Sequence, residues 1–312
     1  MQHVTCNFCG ADDTELVNHG PDLLLQIPGD FYLVCCRRCG LIYQNPQLSF
    51  AELAAHYPDD YLPYQQPEGE RPFSIEQTSH NQALARFCDR IMARRPQPGR
   101  LLDVGCATGD FLFAMQQRGW QVQGVEPVIH AAALARQTFG LDVHTGLLEE
   151  AGYAPNQFDV VTLWDVLEHV ADPLATLTET ARILRPGGML VFSLPNPASF
   201  EARLFGANWV GWERPRHLHL IPPELIPAYL QRVGLAFVGI ESFSGRLRLT
   251  LLSIEFMLKD WGIPEQRWRR WLNLAYSWPL RLATWPLYKL GERLNRTTIM
   301  TVFAEKPGSQ RQ

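Results

Sequence analysis

From residue 100 onward the chain alternates between two kinds of hydrophobic pattern. Short contiguous apolar, β-branched runs come first: LLDVG (101–105), VQGVE (122–126), DVH (142–144), FDVVTLW (158–164) and GMLVFSLP (188–195). Between most of them lie FLFAMQQRG, AALARQTFG and PLATLTETARIL, which read as helices. A strand that is apolar on both faces needs cover on both sides. The pattern therefore predicts an α/β, doubly wound, mostly parallel sheet with helices above and below. AFVGIESF (236–243) and TIMTVFAE (298–305) bring the strands to seven. Upstream, apolar Ala83, Leu84, Phe87, Ile91 and Met92 share one side of a helix expected from about Ser74 to Arg95, which Pro96 and Pro98 end.

Where the periodicity lapses, the chain divides. Residues 56–75, HYPDDYLPYQQPEGERPFSI, read as a linker. Its Tyr57, Tyr61 and Tyr64 could fold over a neighbouring site or pack on the domain surface. The expected organisation is a small module over 1–60, a linker and covering helix over 61–98, the sheet domain over 99–245 and 297–307, and a helical insertion over 246–296 before the last strand.

The module carries a doubled pattern. Cys6-Asn7-Phe8-Cys9-Gly10 matches Cys36-Arg37-Arg38-Cys39-Gly40, which makes Cys35 a bystander. Two thiols separated by two residues can reach one ion, and the following glycine lets the backbone approach the sulfur. Cys6, Cys9, Cys36 and Cys39 thus predict a structural, four-thiolate zinc site in a zinc-ribbon-like module, with no position open for chemistry. The start MQHVTCNFCG shows no basic run followed by an apolar stretch, so no secretory leader is read and a cytoplasmic address is expected. In a reducing compartment cysteines serve metals more often than disulfides.

Ligands of doubly wound sheets bind beyond the carboxyl ends of the strands. The first strand there runs into Asp103-Val104-Gly105-Cys106-Ala107-Thr108-Gly109-Asp110, where two glycines let the backbone pass close to a ligand. The second ends in Glu126, placed to accept hydrogen bonds from both hydroxyls of a ribose. Together they describe a nucleoside site. A dinucleotide would require G-x-G-x-x-G, and G-C-A-T-G-D does not supply it.

LLDVGCATGDF, VEP, FDVVTLWDVLEHVADP and LRPGGML resemble the successive motifs of class I S-adenosylmethionine-dependent methyltransferases, densely over about 100–200. The resemblance implies a Rossmann-like methyltransferase fold with S-adenosylmethionine as cofactor. It implies that Asp103, Gly105, Cys106, Ala107 and Gly109 cradle the methionine part, that Glu126 holds the ribose and that Pro127 shapes the adenine pocket. Leu147 and Leu148 stand where many relatives place an acid near the adenine, and Ala107 replaces a common glycine. The cysteine turns resemble the N-terminal zinc module of deoxysugar C-methyltransferases, which points toward sugars or glycoconjugates.

DVLEHV (165–170) follows the fourth strand, where the reactive methyl would sit. Asp165, Glu168 and His169 are spaced to share one face of a helix. Three readings stand. Asp165 caps the helix while Glu168 and His169, together with Asp165 and Val166, line the cofactor pocket, and this reading leads. Alternatively Asp165, Glu168 and His169 bind Mg2+, as a similar E-x-x-E-H patch does in ubiquinone-pathway O-methyltransferases, or they transfer protons directly. A second pair, His217 and His219, would face one way on an extended segment and is the expected source of the base, with structural hydrogen bonding as the alternative. The stretch 197–216 should cap the site, with Trp209 and Trp212 as an apolar or sugar-stacking wall.

Charge refines the choice of partner. The net charge is −4, yet residues 246–296 hold ten basic and four acidic residues, a net +6 that leaves −10 for the rest. They also hold five of nine tryptophans. The acidic body sets nucleic acid aside as the expected partner. The insertion reads either as a lid packed on the protein or as a helix lying at the inner face of a membrane, with Trp and Arg at headgroup depth. The leading function is methyl transfer to oxygen or carbon of a small-molecule, sugar or glycoconjugate acceptor, lipid-linked in the membrane reading. An RNA methyltransferase and a non-catalytic cofactor-binding scaffold are the alternatives.

Overall fold

The structure is a computed structural model and describes residues 1–49, 52–53, 55–57, 79–243, 246–269 and 278–308. Tyr61, Tyr64, the first turn expected for the covering helix and Trp271 lie outside the described residues.

Eleven strands are described, β1 (Thr14–Gly20), β2 (Phe31–Cys36), β3 (Ile42–Gln44), β4 (Arg100–Val104), β5 (Gln121–Glu126), β6 (Asp142–Thr145), β7 (Phe158–Leu163), β8 (Leu184–Pro195), β9 (His219–Leu220), β10 (Ala236–Glu241) and β11 (Ile299–Glu305). Seven form the large sheet in the order β10-β11-β8-β7-β4-β5-β6. Strands β6, β5, β4, β7 and β8 are parallel, and β11 and β10 close the edge antiparallel. The chain leaves β4 in one direction for β5 and β6, then returns to its other side for β7. The crevice at that reversal is where a doubly wound sheet takes its ligand.

The covering helix, Ser79–Arg94, buries Cys88 and Ile91 against the sheet domain, and Arg90 and Arg94 both pair with Glu241 on the edge strand. Beneath the opposite face the N-terminal module shares the main core. Cys6, Phe8, Cys36, Leu41 and Tyr43 lie in one buried cluster with Leu102, Val104, Phe192 and Tyr229. Its sheet, β1-β2-β3-β9, is completed by two residues from far along the chain, with Tyr43 paired to His219 and Ile42 to Leu220.

Two local expectations are corrected. The stretch after β7 is a turn and not a helix: Asp165 has φ 53°, and the helix begins only at Pro173. Its cap is Asp172, which accepts from the N–H groups of Leu174 and Ala175, because the fixed φ of proline suits the first helical position. Trp209 and Trp212 form no open wall. They are 1% and 8% exposed, meet edge to face at 5.2 Å, and form a core with Leu33, Phe205 and Phe256. Two indoles gain more by leaving water together than by facing it. Phe256 comes from the helix Arg246–Asp260, so that helix packs on the molecule as a lid would.

Candidate functional site

The loop after β4 turns sharply because the N–H groups of Gly105 and Cys106 both donate to the Val125 carbonyl, at 2.8 and 3.1 Å. Gly105 has φ 71°, and a Cβ there would lie 2.5 Å from Val166 Cγ2. Gly109 has φ 85°, and its Cβ would strike Leu141 and Ala135. Neither position admits a side chain. Ala107 adopts φ 45° between them.

Glu126 is 3% exposed, and its two carboxylate oxygens accept from Ala107 N at 2.8 Å and Val128 N at 2.9 Å. Burial raises its pKa and those bonds pull it partly back. Asp103 is buried and accepts from Thr162 Oγ1 at 2.6 Å. Burial pushes it up to about 8, against the Thr162 bond, with the Glu126 charge adding to the rise. Cys106 contributes backbone only, since its thiol is buried in the core beside Gly124. Leu147 is 48% exposed, whereas Leu148 is buried. Pro127 follows Glu126 directly.

Across the crevice the turn after β7 is locked to β8. Asp165 N donates to Ser193 Oγ at 2.8 Å, and Ser193 Oγ donates back to Asp165 Oδ1 at 2.6 Å. Asp165 thereby commits one carboxylate oxygen to Ser193, while its charge still reaches Glu168 and His217. The acid/base group consists of Glu168, His169 and His217, each offering an atom within 4.8 Å of the others. Glu168 is 1% exposed and its Oε2 has no hydrogen-bond partner in the structure, so burial raises its pKa well above the ordinary carboxylate value, with the Asp165 charge adding to it. His169 and His217 stand with ring centroids 4.7 Å apart, edge to face. His169 Nδ1 meets the Arg216 carbonyl at 3.0 Å and the Tyr57 hydroxyl at 2.9 Å. The surrounding protein and His217 hold His169 down at about 3. His217 Nδ1 donates to the Gly211 carbonyl at 2.8 Å, and its Nε2 lies 3.6 Å from Glu213.

His219 does not join them. It lies on β9, 1% exposed, with Nε2 donating to the Ala171 carbonyl at 3.2 Å. The two histidines diverge because only His219 is in the strand. A magnesium site at Asp165, Glu168 and His169 does not fit either. Asp165 is bound to Ser193, and the groups brought together are two imidazoles and one carboxylate, a set poorly suited to a cation that demands oxygen ligands. Spacing along the chain could not place His217 beside Glu168. Tyr57, at the start of the linker stretch, reaches His169, which agrees with the first of the two uses the sequence left open for it.

The two cysteine turns are copies in space as in sequence. Gly10 N donates to the Cys6 carbonyl and Gly40 N to that of Cys36, while Cys6 N and Cys36 N donate to Ala11 and Leu41. The sulfurs of Cys6 and Cys39, and of Cys9 and Cys36, are 3.5 Å apart, and all four lie within 4.8 Å of one another. Tetrahedral zinc with sulfur at about 2.3 Å needs sulfurs about 3.8 Å apart, so the set fits. Cys35 turns to the Cys36 carbonyl instead.

Residues 76–239 match the family model described as "Methyltransferase domain". The ubiquinone biosynthesis O-methyltransferase of Cereibacter sphaeroides (strain ATCC 17025) is 36% identical over 166 residues, which span 49% of this chain and 67% of that protein. The enzyme of the same name from Xanthomonas campestris pv. campestris (strain B100) is 34% identical over 180 residues, 52% of this chain and 75% of its own. Among solved structures, the cyclase SpnF superposes with a TM-score of 0.50 at 20% identity, covering 80% of this chain and 88% of that one, a likeness of fold alone.

Proposed function

The chain belongs to the methyltransferase-domain family and is an S-adenosylmethionine-dependent methyltransferase, and from that premise we propose that it methylates an oxygen of a small-molecule acceptor. The observation that carries this reading is the group of Glu168, His169 and His217, with Glu168 and His217 buried and His169 half-buried, where an O–H acceptor would have to give up a proton. The cradle fits the cofactor: two glycines admit no Cβ, and each Glu126 oxygen, with one N–H bound, keeps a lone pair for a ribose hydroxyl. The bound cofactor supplies an electrophilic methyl on a sulfonium that leaves as a thioether. The protein's part is to place the acceptor oxygen in line and take its proton, and positioning provides much of the rate. Burial keeps His169 neutral, with a lone pair that can receive the acceptor's proton, and raises the affinity of neighbouring Glu168 for a proton.

Cys6, Cys9, Cys36 and Cys39 hold structural zinc in this proposal. A sugar or glycoconjugate as the acceptor is supported by the resemblance of these cysteine turns to the zinc module of deoxysugar C-methyltransferases. Among the described residues no helix is long and apolar enough to cross a membrane. Peripheral contact through 246–296 is supported by exposed Trp261, Trp285, Leu287, Leu290 and Leu294 beside its basic residues. Absence of binding to anionic vesicles at low salt would remove that contact.

The deciding experiment supplies radiolabelled methyl donor and fractionated cell extract. Label should enter a small molecule and be released as methyl iodide by hydriodic acid. Label that resists this cleavage means a carbon acceptor, and label confined to RNA overturns the reading. Glu168→Gln and His169→Gln should each lower turnover by about 10²-fold or more, while His219→Gln keeps it and all three bind S-adenosylhomocysteine as the parent does.

A further inference from the structure

Arg216 is fully buried, and its positive charge is met by the N-terminal module. Its Nη1 and Nη2 bind the two carboxylate oxygens of Asp22 at 2.7 and 2.8 Å, and its Nε binds Glu213 at 3.0 Å. Asp22 is itself 1% exposed and braced by the N–H groups of Leu24 and Leu25, both at 3.0 Å. A two-pronged pair of this kind fixes orientation as well as distance. The same residue that Asp22 grips presents its backbone carbonyl to His169 Nδ1 at 3.0 Å.

A carbonyl oxygen has no hydrogen to give, so a close contact with an imidazole nitrogen requires the proton to be on that nitrogen. The Tyr57 hydroxyl can accept from the same N–H, whereas a bare Nδ1 would be repelled by the carbonyl. Neutral His169 therefore carries its hydrogen on Nδ1, and Nε2 keeps a free lone pair. We propose that Asp22 is a positioning residue for methyl transfer: by clamping Arg216 it holds the carbonyl that selects the Nδ1–H form of His169 and leaves Nε2 to accept the acceptor's proton. The inference rests on the proton-accepting role given above to the trio. It makes the N-terminal module a working part of the acceptor site and more than a metal-stabilised appendage. The next residues tighten the link. Leu218 and His219 donate their N–H groups to the Glu168 carbonyl, and Gln44 N donates to the Leu218 carbonyl.

The test is nitrogen-15 resonance spectroscopy of the full, zinc-loaded protein labelled at histidine, with the His169 signals identified by their loss in His169→Gln. In the parent, Nδ1 should show the protonated and Nε2 the bare signature. Asp22→Asn, of nearly the same shape, should spread the proton over both nitrogens and lower kcat about tenfold or more. S-adenosylhomocysteine affinity and zinc content should stay within twofold. Arg216→Lys retains the buried charge while losing the two-pronged geometry, and should do the same if Asp22→Asn does not fold. An Nε2–H form in the parent overturns the proposal. So does a folded Asp22→Asn whose tautomer and turnover are unchanged, or whose loss appears in cofactor affinity alone. The tautomer readout needs no acceptor, so a chain that methylates nothing would end the functional reading without disturbing this measurement.

Discussion

Ala107 sits at φ 45°, where a side chain at Cβ crowds its own backbone at a cost of about 1–2 kcal/mol. Glycine would relieve that strain but lose about 0.4–1 kcal/mol through the freer unfolded chain. Ala107→Gly should therefore raise stability by no more than about 1.6 kcal/mol, seen as a shift of at most a few degrees in thermal unfolding. A lower melting temperature would mean that the methyl packs usefully. Asp103 and His219 make a second prediction, on pH. Asp103 is protonated in the folded protein up to about 8 but ionises near 4 when unfolded, so its contribution is lost as pH rises between those values. His219 is held neutral down to about 4 by burial, so its contribution is complete above 6.5 and is lost as pH falls toward 4. Below pH 6.5 the two oppose each other, and between 6.5 and 8 Asp103 acts alone of the pair. Asp103's share of the loss there is up to about 1.4 kcal/mol per pH unit, and Asp103→Asn should flatten the melting-curve slope of the ligand-free protein by that share, leaving the part that Glu168 carries in the same direction. At this scale the sequence disclosed the glycines, Asp103 and Glu126, because strand ends impose local demands. It did not disclose that Ser193 holds Asp165 or that Asp22 reaches Arg216, since neither partner lies nearby in the chain.

Among the elements, the seven strands of the large sheet were legible because burial on both faces leaves contiguous apolar runs. The turn after β7 was not. Its acids and histidine satisfy a helical spacing, but Asp165 is left-handed and Pro173 fixes the start eight residues later. The cap at Asp172 has a second duty, accepting from Asn7 Nδ2 of the first cysteine turn at 3.0 Å. Asp172→Ala should accordingly cost about 1–2 kcal/mol, the upper end of a cap deletion, as a lower denaturant midpoint with unchanged slope. An additional Asn7→Ala change should then cost little more, because the two side chains share that bond.

For the whole molecule, the metal and the chemistry are expected to fail together. The cysteine turns share a core with Leu102, Val104 and Phe192, which lie beneath the crevice. Chelation, or Cys39→Ser, should release zinc and lower the melting temperature by about 10 °C or more, given the size of structural zinc contributions. Turnover should fall with it. Zinc release with unchanged melting would contradict this. The division near residue 60 follows from the cysteine repeat and the linker stretch, whereas the tie through β9 does not, because nothing in a two-residue strand announces its distant partner.

That strand, β9, has an evolutionary and practical consequence. Its pairing with β3 means that the first sixty residues cannot be transplanted as a cassette onto another scaffold, nor trimmed away to make a minimal catalyst. Either cut would leave an open strand edge and a guanidinium stranded in the interior. A working chimera would have to carry 213–220 along with the cysteine turns, so these two stretches should be inherited, or lost, as one.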